Sequence, residues 1–309
     1  GYNIEISGDN VLSKINGCIV LTETGIDVEP LLLAKNVRNW NKKHEGSISI
    51  MGDVDNCPLI EASGDIEIHG LAANSNLKAG RNIFIHGNIM AKDENSIAAG
   101  GDILSKNISN ASIAADNLFV LSIILNSDVT ALGTVQTLEK TGKIIGGGIS
   151  SCSMVKTGAI GSAKAVDTKV RVATPKLIKQ VREHLLDNLI IRIGSIDKKK
   201  EQMVLKLKTL KEKMDKTLGS KFGGYNKVIE LTELEIEKCE GKVADLYKEI
   251  VKVKDPSHIA TSGEVIADVY HPGTVISIGN SSRNINAPKH KIRFYTKESN
   301  VFSEEHKGI

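Results

Sequence analysis

One short phrase recurs through residues 62–135 and limits the folds that this chain can adopt. In each copy, a small alanine is followed four residues later by a branched aliphatic residue, and these aliphatic residues are Ile66, Ile83, Ile103, Leu118 and Val135. Their spacings are 17, 20, 15 and 17 residues. A fixed phrase with a variable period is typical of stacked coils, each too small to bury its own apolar face. The sequence therefore predicts a β-solenoid with these five side chains in one stacked aliphatic column.

Each copy of the phrase also carries the chemistry of a short strand and of a turn. Alternation of the Ile-x-Ile type predicts a strand with one inward face, and the Gly-Asp or Arg-Asn pair ahead of it is typical of a turn. The small alanine suits a tight corner, where a larger side chain would collide with the coil above. Asp65 and Asp102 lie at this turn, so we interpret them as turn residues without a catalytic role.

Composition and pattern divide the sequence into four segments. Residues 1–46 carry β-like runs between glycines but lack the phrase, and we expect them to cap the first coil. Coils are predicted for residues 47–174 and helices for residues 175–255. Residues 256–309 resume the β pattern and should rejoin the solenoid.

Two stretches near these boundaries lead to local predictions. Asn36–His44, rich in Asn and Lys, is either a loop or a short capping helix. The β pattern continues on both sides of the helical segment, so Val170–Val172 and Val265–Ile278 should be neighbours in space.

The segment between Pro175 and Pro256 contains no proline and has its own charge balance. Residues 176–255 hold 19 Lys or Arg and 14 Asp or Glu, a net charge of +5, which leaves the rest of the chain near −2. Apolar residues recur here at spacings of three and four, as in the core of a coiled coil. They are Met203, Leu207, Leu210 and Met214 in a first arm, and Val243, Leu246, Ile250 and Val253 in a second. The pattern predicts an antiparallel coiled-coil hairpin.

Glycines set the expected limits of the two arms. Gly194-Ser195 predicts a kink or a break in the first arm, because Gly is costly inside a helix and Ser can cap a new one. Gly219 and Gly223-Gly224 interrupt the pattern between the arms and predict the reversal of the chain.

Charge, apolar runs and cysteine spacing exclude several protein classes. The whole chain has a net charge of only +3, whereas a dedicated nucleic-acid binder usually has a clear basic excess. No apolar run approaches the length of a transmembrane helix. The four cysteines lack CxxC spacing, which favours reduced cytoplasmic thiols over a zinc site. The amino terminus does not resemble a signal peptide, and we expect the native protein to be longer than this sequence.

Two histidines are the candidate metal ligands in the sequence. His69 and His86 hold the same place in adjacent repeats, 17 residues apart, and should lie roughly 5 Å apart in a stacked solenoid. Two adjacent imidazoles can hold a metal ion, but the equivalent position in the next coil lies near Lys106, so no third ligand in register is apparent. We therefore expect a solvent-facing pair of imidazoles, and neither a metal nor another cofactor.

Three further stretches have alternative interpretations. Asp53-Val54-Asp55 places two carboxylates at strand spacing, as for Ca²⁺ binding or acid–base chemistry, but its neighbours favour turn residues. Gly146-Gly147-Gly148 lacks the Lys and Ser or Thr of a phosphate-binding loop. Lys198-Lys199-Lys200 suits an acidic partner or a membrane surface, although interspersed acidic residues favour a solvated helix face.

The order of these features resembles the bacterial flagellar assembly protein A family over nearly the whole chain. The shared features are Ala-Gly-Gly-Asp-Ile at 99–103, Ile160-Gly161-Ser162, Thr168-x-Val170-x-Val172, the long Lys/Glu hairpin, and then Tyr270-His271-Pro272-Gly273-Thr274. The resemblance implies a mostly β protein, a right-handed parallel β-helix interrupted by a coiled-coil hairpin. It also implies a cytoplasmic protein linked to flagellar assembly or polar organisation. The early coils are poorer in glycine than the family pattern, and we expect that the family's usual amino-terminal domain is missing or has been cut away.

The sequence favours a non-enzymatic scaffold that binds protein partners and forms a homo-oligomer. No convergent set of nucleophile, acid and base can be assembled from the repeats, so we expect no catalytic residues. A β-helix enzyme is the first alternative, but a polysaccharide lyase needs an acidic Ca²⁺ cluster and an acyltransferase needs a six-residue period. The second alternative is a module that binds nucleic acid or a membrane surface through the basic hairpin.

Overall fold

The chain divides into two compact units. The computed structural model describes residues 3–7, 10–15, 17–22, 25–92, 95–215, 222–255, 263–297, 300–306 and 308. One unit comprises Gly1–Leu177 with Thr261–Ile309, and the other comprises Ile178–Ala260. The first unit is built of β-strands and the second of helices.

The amino-terminal strands form hairpins and then the first coil. They are β1 (Ile4–Ser7), β2 (Asn10–Ser13), β3 (Gly17–Thr22), β4 (Gly25–Ala34), β5 (Val37–Arg38) and β6 (Asn41–His44). The first two pair with each other antiparallel, and so do β3 and β4. From Leu31 onwards, however, β4 pairs in parallel with the next coil, as do β5 and β6.

Parallel strands continue through the stacked coils. They are β7 (Ser47–Ile50), β8 (Val54–Asp55), β9 (Leu59–Ala62), β10 (Ile66–Ile68), β11 (Ala72–Ala73), β12 (Leu77–Ala79), β13 (Ile83–Met90), β14 (Ser96–Ala99), β15 (Ile103–Ser109), β16 (Ser112–Ala115), β17 (Leu118–Ala131), β18 (Thr134–Thr137), β19 (Lys143–Ser151), β20 (Met154–Ile160) and β21 (Thr168–Val172). Together with the first coil and the strands that follow the helices, they make a solenoid of about eight turns.

The first coil begins earlier than the sequence analysis expected. The boundary at residue 47 is wrong, because β4, β5 and β6 already stack on the following coil in parallel register. Asn36–His44 is neither a loop nor a helix, since it contains β5 and β6. Its polar residues are compatible with a strand because their backbone groups pair with β9 while Lys43 forms an ion pair with Glu61 at 2.6 Å.

The strands after the helices rejoin the solenoid and then cover its end. They are β22 (Glu264–Tyr270), β23 (Thr274–Ile278), β24 (Ser281–Ile285), β25 (Lys289–Lys297) and β26 (Asn300–Glu305). The first two pair in parallel with β20 and β21, which confirms that the chain leaves and re-enters at neighbouring strands. The last three pair antiparallel and form no further coil.

The five predicted core residues lie in one column. Ile66, Ile83, Ile103, Leu118 and Val135 are partners in successive strand pairs, and each is 0% exposed. The same register extends the column to Ile48 on one side and to Val155 and Val265 on the other. Most of the buried apolar residues are Ile, Val, Leu and Ala, which accounts for the low aromatic content.

Asparagines occupy the left-handed corners of the coils. Non-glycine residues rarely adopt positive φ, and Asn tolerates it best. Such corners occur at Asn39, Asn56, Asn74, Asn110 and Asn126, with φ between 45° and 56°. At the first four, the backbone N–H donates to a carbonyl of the next coil at 2.9–3.1 Å.

Polar side chains ahead of the core column link each coil to the next. Asp65 Oδ1 accepts a hydrogen bond from the Asn82 N–H, and Asn82 Oδ1 accepts one from the Asp102 N–H, both at 2.9 Å. Asn117 Oδ1 does the same for the Thr134 N–H at 2.8 Å. These bonds explain the Asp and Asn of the repeated phrase, because each satisfies a backbone donor that faces the neighbouring coil.

Two long helices interrupt the β pattern. Helix α1 is Pro175–Asp215 and helix α2 is Phe222–Lys254. The predicted break at Gly194-Ser195 is wrong, because α1 continues through both residues and the Ser195 hydroxyl donates to the Arg192 carbonyl at 2.8 Å. Gly223-Gly224 lies inside α2 and not in the reversal, whereas Gly219, Pro256 and the strand residue Ile259 lie outside the described residues.

The helices contact each other through an apolar cluster and ion pairs. Leu189 and Ile193 of α1 are buried with Leu246 of α2. Lys200 Nζ lies 3.7 Å from Glu240, and Lys211 Nζ lies 2.7 Å from Glu233. Several apolar side chains on the helices remain exposed, namely Ile190, Ile191, Val204, Leu205, Leu231, Leu234, Tyr247 and Val251.

Candidate functional site

The register of the coils brings His69 and His86 together. Ile68 pairs with Ile85, so the two histidines follow equivalent positions of β10 and β13. Their rings stack with centroids 4.7 Å apart and an interplanar angle of 7°. This separation agrees with the spacing of adjacent strands that the 17-residue repeat predicts.

Glu67 completes a cluster of three possible ligands. Its Oε1 atom lies 2.9 Å from His86 Nε2 and 3.6 Å from His69 Nε2. One ligand atom from each of the three residues lies within 4.8 Å of the other two. In the part of the chain that the structure describes, no other group of three His, Cys, Asp or Glu side chains is close enough to hold a metal ion.

Glu67 does not belong to the register that joins His69 and His86, which continues to Lys106 in the next coil. Alternate residues of a strand share one face, so Glu67 and His69 project to the same side of the solenoid. The Glu-x-His pattern was therefore the available signal in the sequence. The third possible ligand therefore lies in the same strand as Ile66 and Ile68, and not in register in the next coil.

The cluster is open to solvent and polar. The side chains of Glu67, His69 and His86 are 41%, 37% and 54% exposed. Two imidazole nitrogens and a carboxylate oxygen can bind a cation or exchange protons with water.

Arg81 forms ion pairs with two carboxylates, those of Glu29 and Asp65. Its Nη1 atom lies 2.8 Å from both carboxylate oxygens of Glu29, and its Nη2 atom lies 2.9 Å from Asp65 Oδ2. Partial burial by itself raises the pKa of Asp65, but hydrogen bonds from Arg81 and Asn82 outweigh it, so the pKa is lowered. The guanidinium therefore joins the β3–β4 hairpin to two coils and leaves no free carboxylate for catalysis at Asp65.

Asp53 and Asp55 belong to the structure of the coils. Asp53 Oδ1 accepts a hydrogen bond from the Leu71 N–H at 2.9 Å, and Asp55 pairs with Arg38 at 3.2 Å. Val54 between them is fully buried. Asp53 precedes the strand β8, whereas Asp55 belongs to it, so the turn interpretation fits only Asp53. Both carboxylates are engaged in contacts between coils.

The triple glycine lies inside a strand. Gly146 and Gly147 have φ of +70° and +74° within β19, and a Cβ atom on Gly147 would lie only 2.3 Å from the Ser127 carbonyl oxygen. A phosphate-binding loop requires glycines that lead into a helix, and these do not. Close approach of two coils explains Gly147.

The four cysteines are free thiols that are wholly or partly buried. Cys57, Cys152 and Cys239 are buried free cysteines, and Cys18 is half-buried. Burial raises the pKa of Cys152 to about 11, and that of Cys18 is also raised, chiefly by burial. A thiol with a raised pKa holds little of the reactive thiolate at neutral pH.

Lys198, Lys199 and Lys200 of α1 lie among charges of both signs. Lys200 pairs with Glu240, whereas Lys198 and Lys199 are exposed. Among the residues that the structure describes, no helix is long and apolar enough to cross a membrane.

Comparison with known families adds to this geometry. Residues 36–301 match the family model of the flagellar assembly protein A β-solenoid domain. The chain belongs to this family. The matched span of the flagellar assembly protein A domain includes the coils from β5 onwards, the helices and the Glu67–His69–His86 cluster. No curated protein and no solved structure matches the chain.

Proposed function

We propose that this chain is a non-enzymatic cytoplasmic scaffold that supports flagellar assembly or polar organisation by binding protein partners. The observation that carries the proposal is the match of residues 36–301 to the flagellar assembly protein A β-solenoid domain. An unbroken stack of parallel coils is a rigid, extended surface, and solenoids commonly use such surfaces for binding.

The helices are the proposed interaction element. We infer that α1 and α2 form an antiparallel coiled coil. Rising residue numbers in α1 meet falling numbers in α2, as the pairs Lys200–Glu240 and Lys211–Glu233 indicate. Exposed apolar side chains such as Ile190, Ile191 and Val251 would then remain available for a partner or for a second copy of the chain.

The proposed scaffold has a right-handed coil and no catalytic activity. A right-handed sense is expected because connections between parallel strands are overwhelmingly right-handed. Catalytic silence is supported by the use of Asp53, Asp55 and Asp65 in structural contacts and by the raised pKa of Cys152. One open surface groove is lined by Lys92, Ser96, Asn110, Ala111, Ser112, Asn126 and Asp128, without the acidic cluster that a polysaccharide lyase requires.

A membrane or nucleic-acid module remains the second candidate, favoured by the net charge of +5 in residues 176–255. The two candidates differ in salt dependence. Binding through lysines to DNA or to anionic vesicles should fall steeply between 50 and 200 mM salt, on the general scale of about 10³-fold for six phosphate contacts. A scaffold that binds through apolar side chains should retain its partner over this range.

Genetic complementation tests the proposed function. Deletion of the gene in the source bacterium should reduce swimming or misplace its flagella, and the full chain should restore the wild-type phenotype. A chain with a short Gly/Ser linker in place of residues 176–254 should be present at a normal level yet fail to restore it. A deletion strain with normal flagella and motility would contradict the flagellar role. Restoration by the linker variant would contradict the assignment of the interaction surface to the helices.

A further inference from the structure

We propose that Glu67, His69 and His86 form a binding site for one divalent transition-metal ion of the Zn²⁺ type. The site is independent of the proposed scaffold function, because it lies on the coils and uses none of the helical residues. Its three ligand atoms would be Glu67 Oε1, His69 Nε2 and His86 Nε2. Water would occupy the remaining position.

The distances from Glu67 Oε1 to the two imidazoles are close to those around a tetrahedral ion. Bonds of about 2.0–2.2 Å to nitrogen and oxygen ligands separate neighbouring ligand atoms by about 3.4 Å. The two distances from Glu67 Oε1, 2.9 Å to His86 and 3.6 Å to His69, lie on either side of this value. The imidazole nitrogens lie within 4.8 Å of each other, so a tilt of the two rings towards each other completes the site.

The backbone fixes the three groups relative to one another. Glu67 and His69 lie two residues apart and therefore share the outer face of their coil. His86 follows Ile85, the partner of Ile68, so it lies one strand spacing from His69. Parallel pairing on both sides of β10 makes these positions rigid, because Ile66 and Ile68 also pair with Ile48 and Ile50. Only side-chain rotation is needed to bind the ion.

The donor set selects the class of ion. Imidazole nitrogens suit Zn²⁺, Cu²⁺ and Ni²⁺, whereas Ca²⁺ and Mg²⁺ prefer sites made of oxygen atoms. The carboxylate of Glu67 supplies the negative charge that partly neutralises the ion. The next coil continues the histidine column near Lys106, which contributes a positive charge and no ligand, so the site ends at His86.

Calorimetric titration of the full chain, without an affinity tag, tests the site with ZnCl₂ as the probe. The expected result is one Zn²⁺ per chain. The variants His69→Ala, His86→Ala and Glu67→Gln should each weaken binding by about tenfold or more, since each removes one of three ligands. His290→Ala is the matched control, because it removes an exposed histidine from β25 and should leave the affinity unchanged.

Selectivity and stability provide two further measurements on the same proteins. In the same titration, CaCl₂ in place of ZnCl₂ should give no binding. In thermal melts, Zn²⁺ should raise the Tm of the wild type but not of the His69→Ala/His86→Ala double variant. The double variant should match the wild type in Tm without metal, because both side chains are exposed. Absence of Zn²⁺ binding by the wild type would overturn the proposal. Equal affinities in the wild type and the double variant would do the same.

Discussion

At the scale of single residues, the coils depend on positions where a side chain or a backbone angle serves the neighbouring coil. Asn56 is such a position, with φ of 51° and a backbone N–H that donates to the Ala73 carbonyl at 3.1 Å. Asn39 and Asn74 occupy the equivalent corners of the adjacent coils, 17 and 18 residues from Asn56. The sequence therefore contains a period of asparagines that predicts these corners. The aliphatic period marks the core of the coils, and the asparagine period marks their corners.

Substitution of Asn56 separates backbone strain from side-chain chemistry. Asn56→Ala should be less stable than Asn56→Gly by about 1 kcal/mol, because a Cβ atom disfavours the left-handed region and neither variant keeps the amide. Urea unfolding monitored by circular dichroism measures the difference. Equal stabilities of the two variants would show that the positive φ at residue 56 does not destabilise a residue with a Cβ atom.

Asp65 should make the solenoid sensitive to acid. Its lowered pKa means that the ionised carboxylate stabilises the folded state above about pH 4, the pKa of an unfolded Asp, and that this stability is lost as pH falls through the folded pKa. Asp65→Asn should therefore lower stability by about 1 kcal/mol at pH 7, because it keeps an oxygen acceptor for the Asn82 N–H but loses the charge opposite Arg81. The difference should shrink as pH falls through the folded pKa of Asp65.

Thermal melts from pH 2 to pH 7 test this expectation for Asp65. Asp167→Asn is the control, since Asp167 is 70% exposed and pairs only with Lys169 among the contacts described. Parallel curves for the Asp65→Asn variant and the wild type would contradict a stabilising role for the charge.

At the scale of elements, strands that bury a side chain in every coil are predictable from the sequence, whereas strands held mainly by backbone pairing are not. The repeated phrase predicts the core column because each coil places one aliphatic side chain inward, and these residues recur at similar spacings in the sequence. The strand β6 left no such mark. Its residues Asn41–His44 are polar, and its structure comes from backbone pairing with β9 and from the Lys43–Glu61 ion pair, which are non-local.

The helices and the ligand cluster illustrate the same limit. Gly194 did not break α1, because the cost of one glycine, about 1 kcal/mol, is small beside the contacts of a helix of 41 residues. The histidine pair was predictable from the 17-residue repeat, whereas Glu67 required attention to the two-residue period within one strand. The 2.9 Å contact between Glu67 Oε1 and His86 Nε2 depends on side-chain rotamers, which no sequence pattern predicts.

The core column predicts a strong dependence on polarity at its centre. Ile83 is 0% exposed and lies between Ile66 and Ile103. Ile83→Asp should unfold at least the adjacent coils, because an unpaired buried carboxylate costs several kcal/mol. Ile83→Val should cost only about 1 kcal/mol.

Leu104→Asp is the matched control for the core substitution. Leu104 lies on the adjacent coil but faces outward and is 39% exposed, so a charge there should change stability by about 0.5 kcal/mol or less. Hydrogen exchange would locate the affected coils. Similar losses for Leu104→Asp and Ile83→Asp would contradict the assignment of the two faces.

At the scale of the whole molecule, the solenoid should fold without the helices. Val172 and Gly263 lie on either side of the insertion, and a Cβ atom on Gly263 would lie 2.8 Å from Val172 Cγ1, so a short Gly/Ser linker can replace residues 176–254. Circular dichroism should show helix lost, strand kept and a cooperative melt, because each coil depends mainly on its neighbours. An unfolded linker variant would show that the coils need the helices.

In-register stacking of coils also determines how the protein would yield to mechanical load. A chain stretched between its ends should release one coil at a time, since each coil is attached chiefly to its two neighbours. A coil of 17 residues, the spacing of Ile66 and Ile83, would add about 60 Å of contour length when it unravels. An optical trap should therefore record a staircase of small, nearly equal extensions. The helical segment would appear in this record as a single larger event.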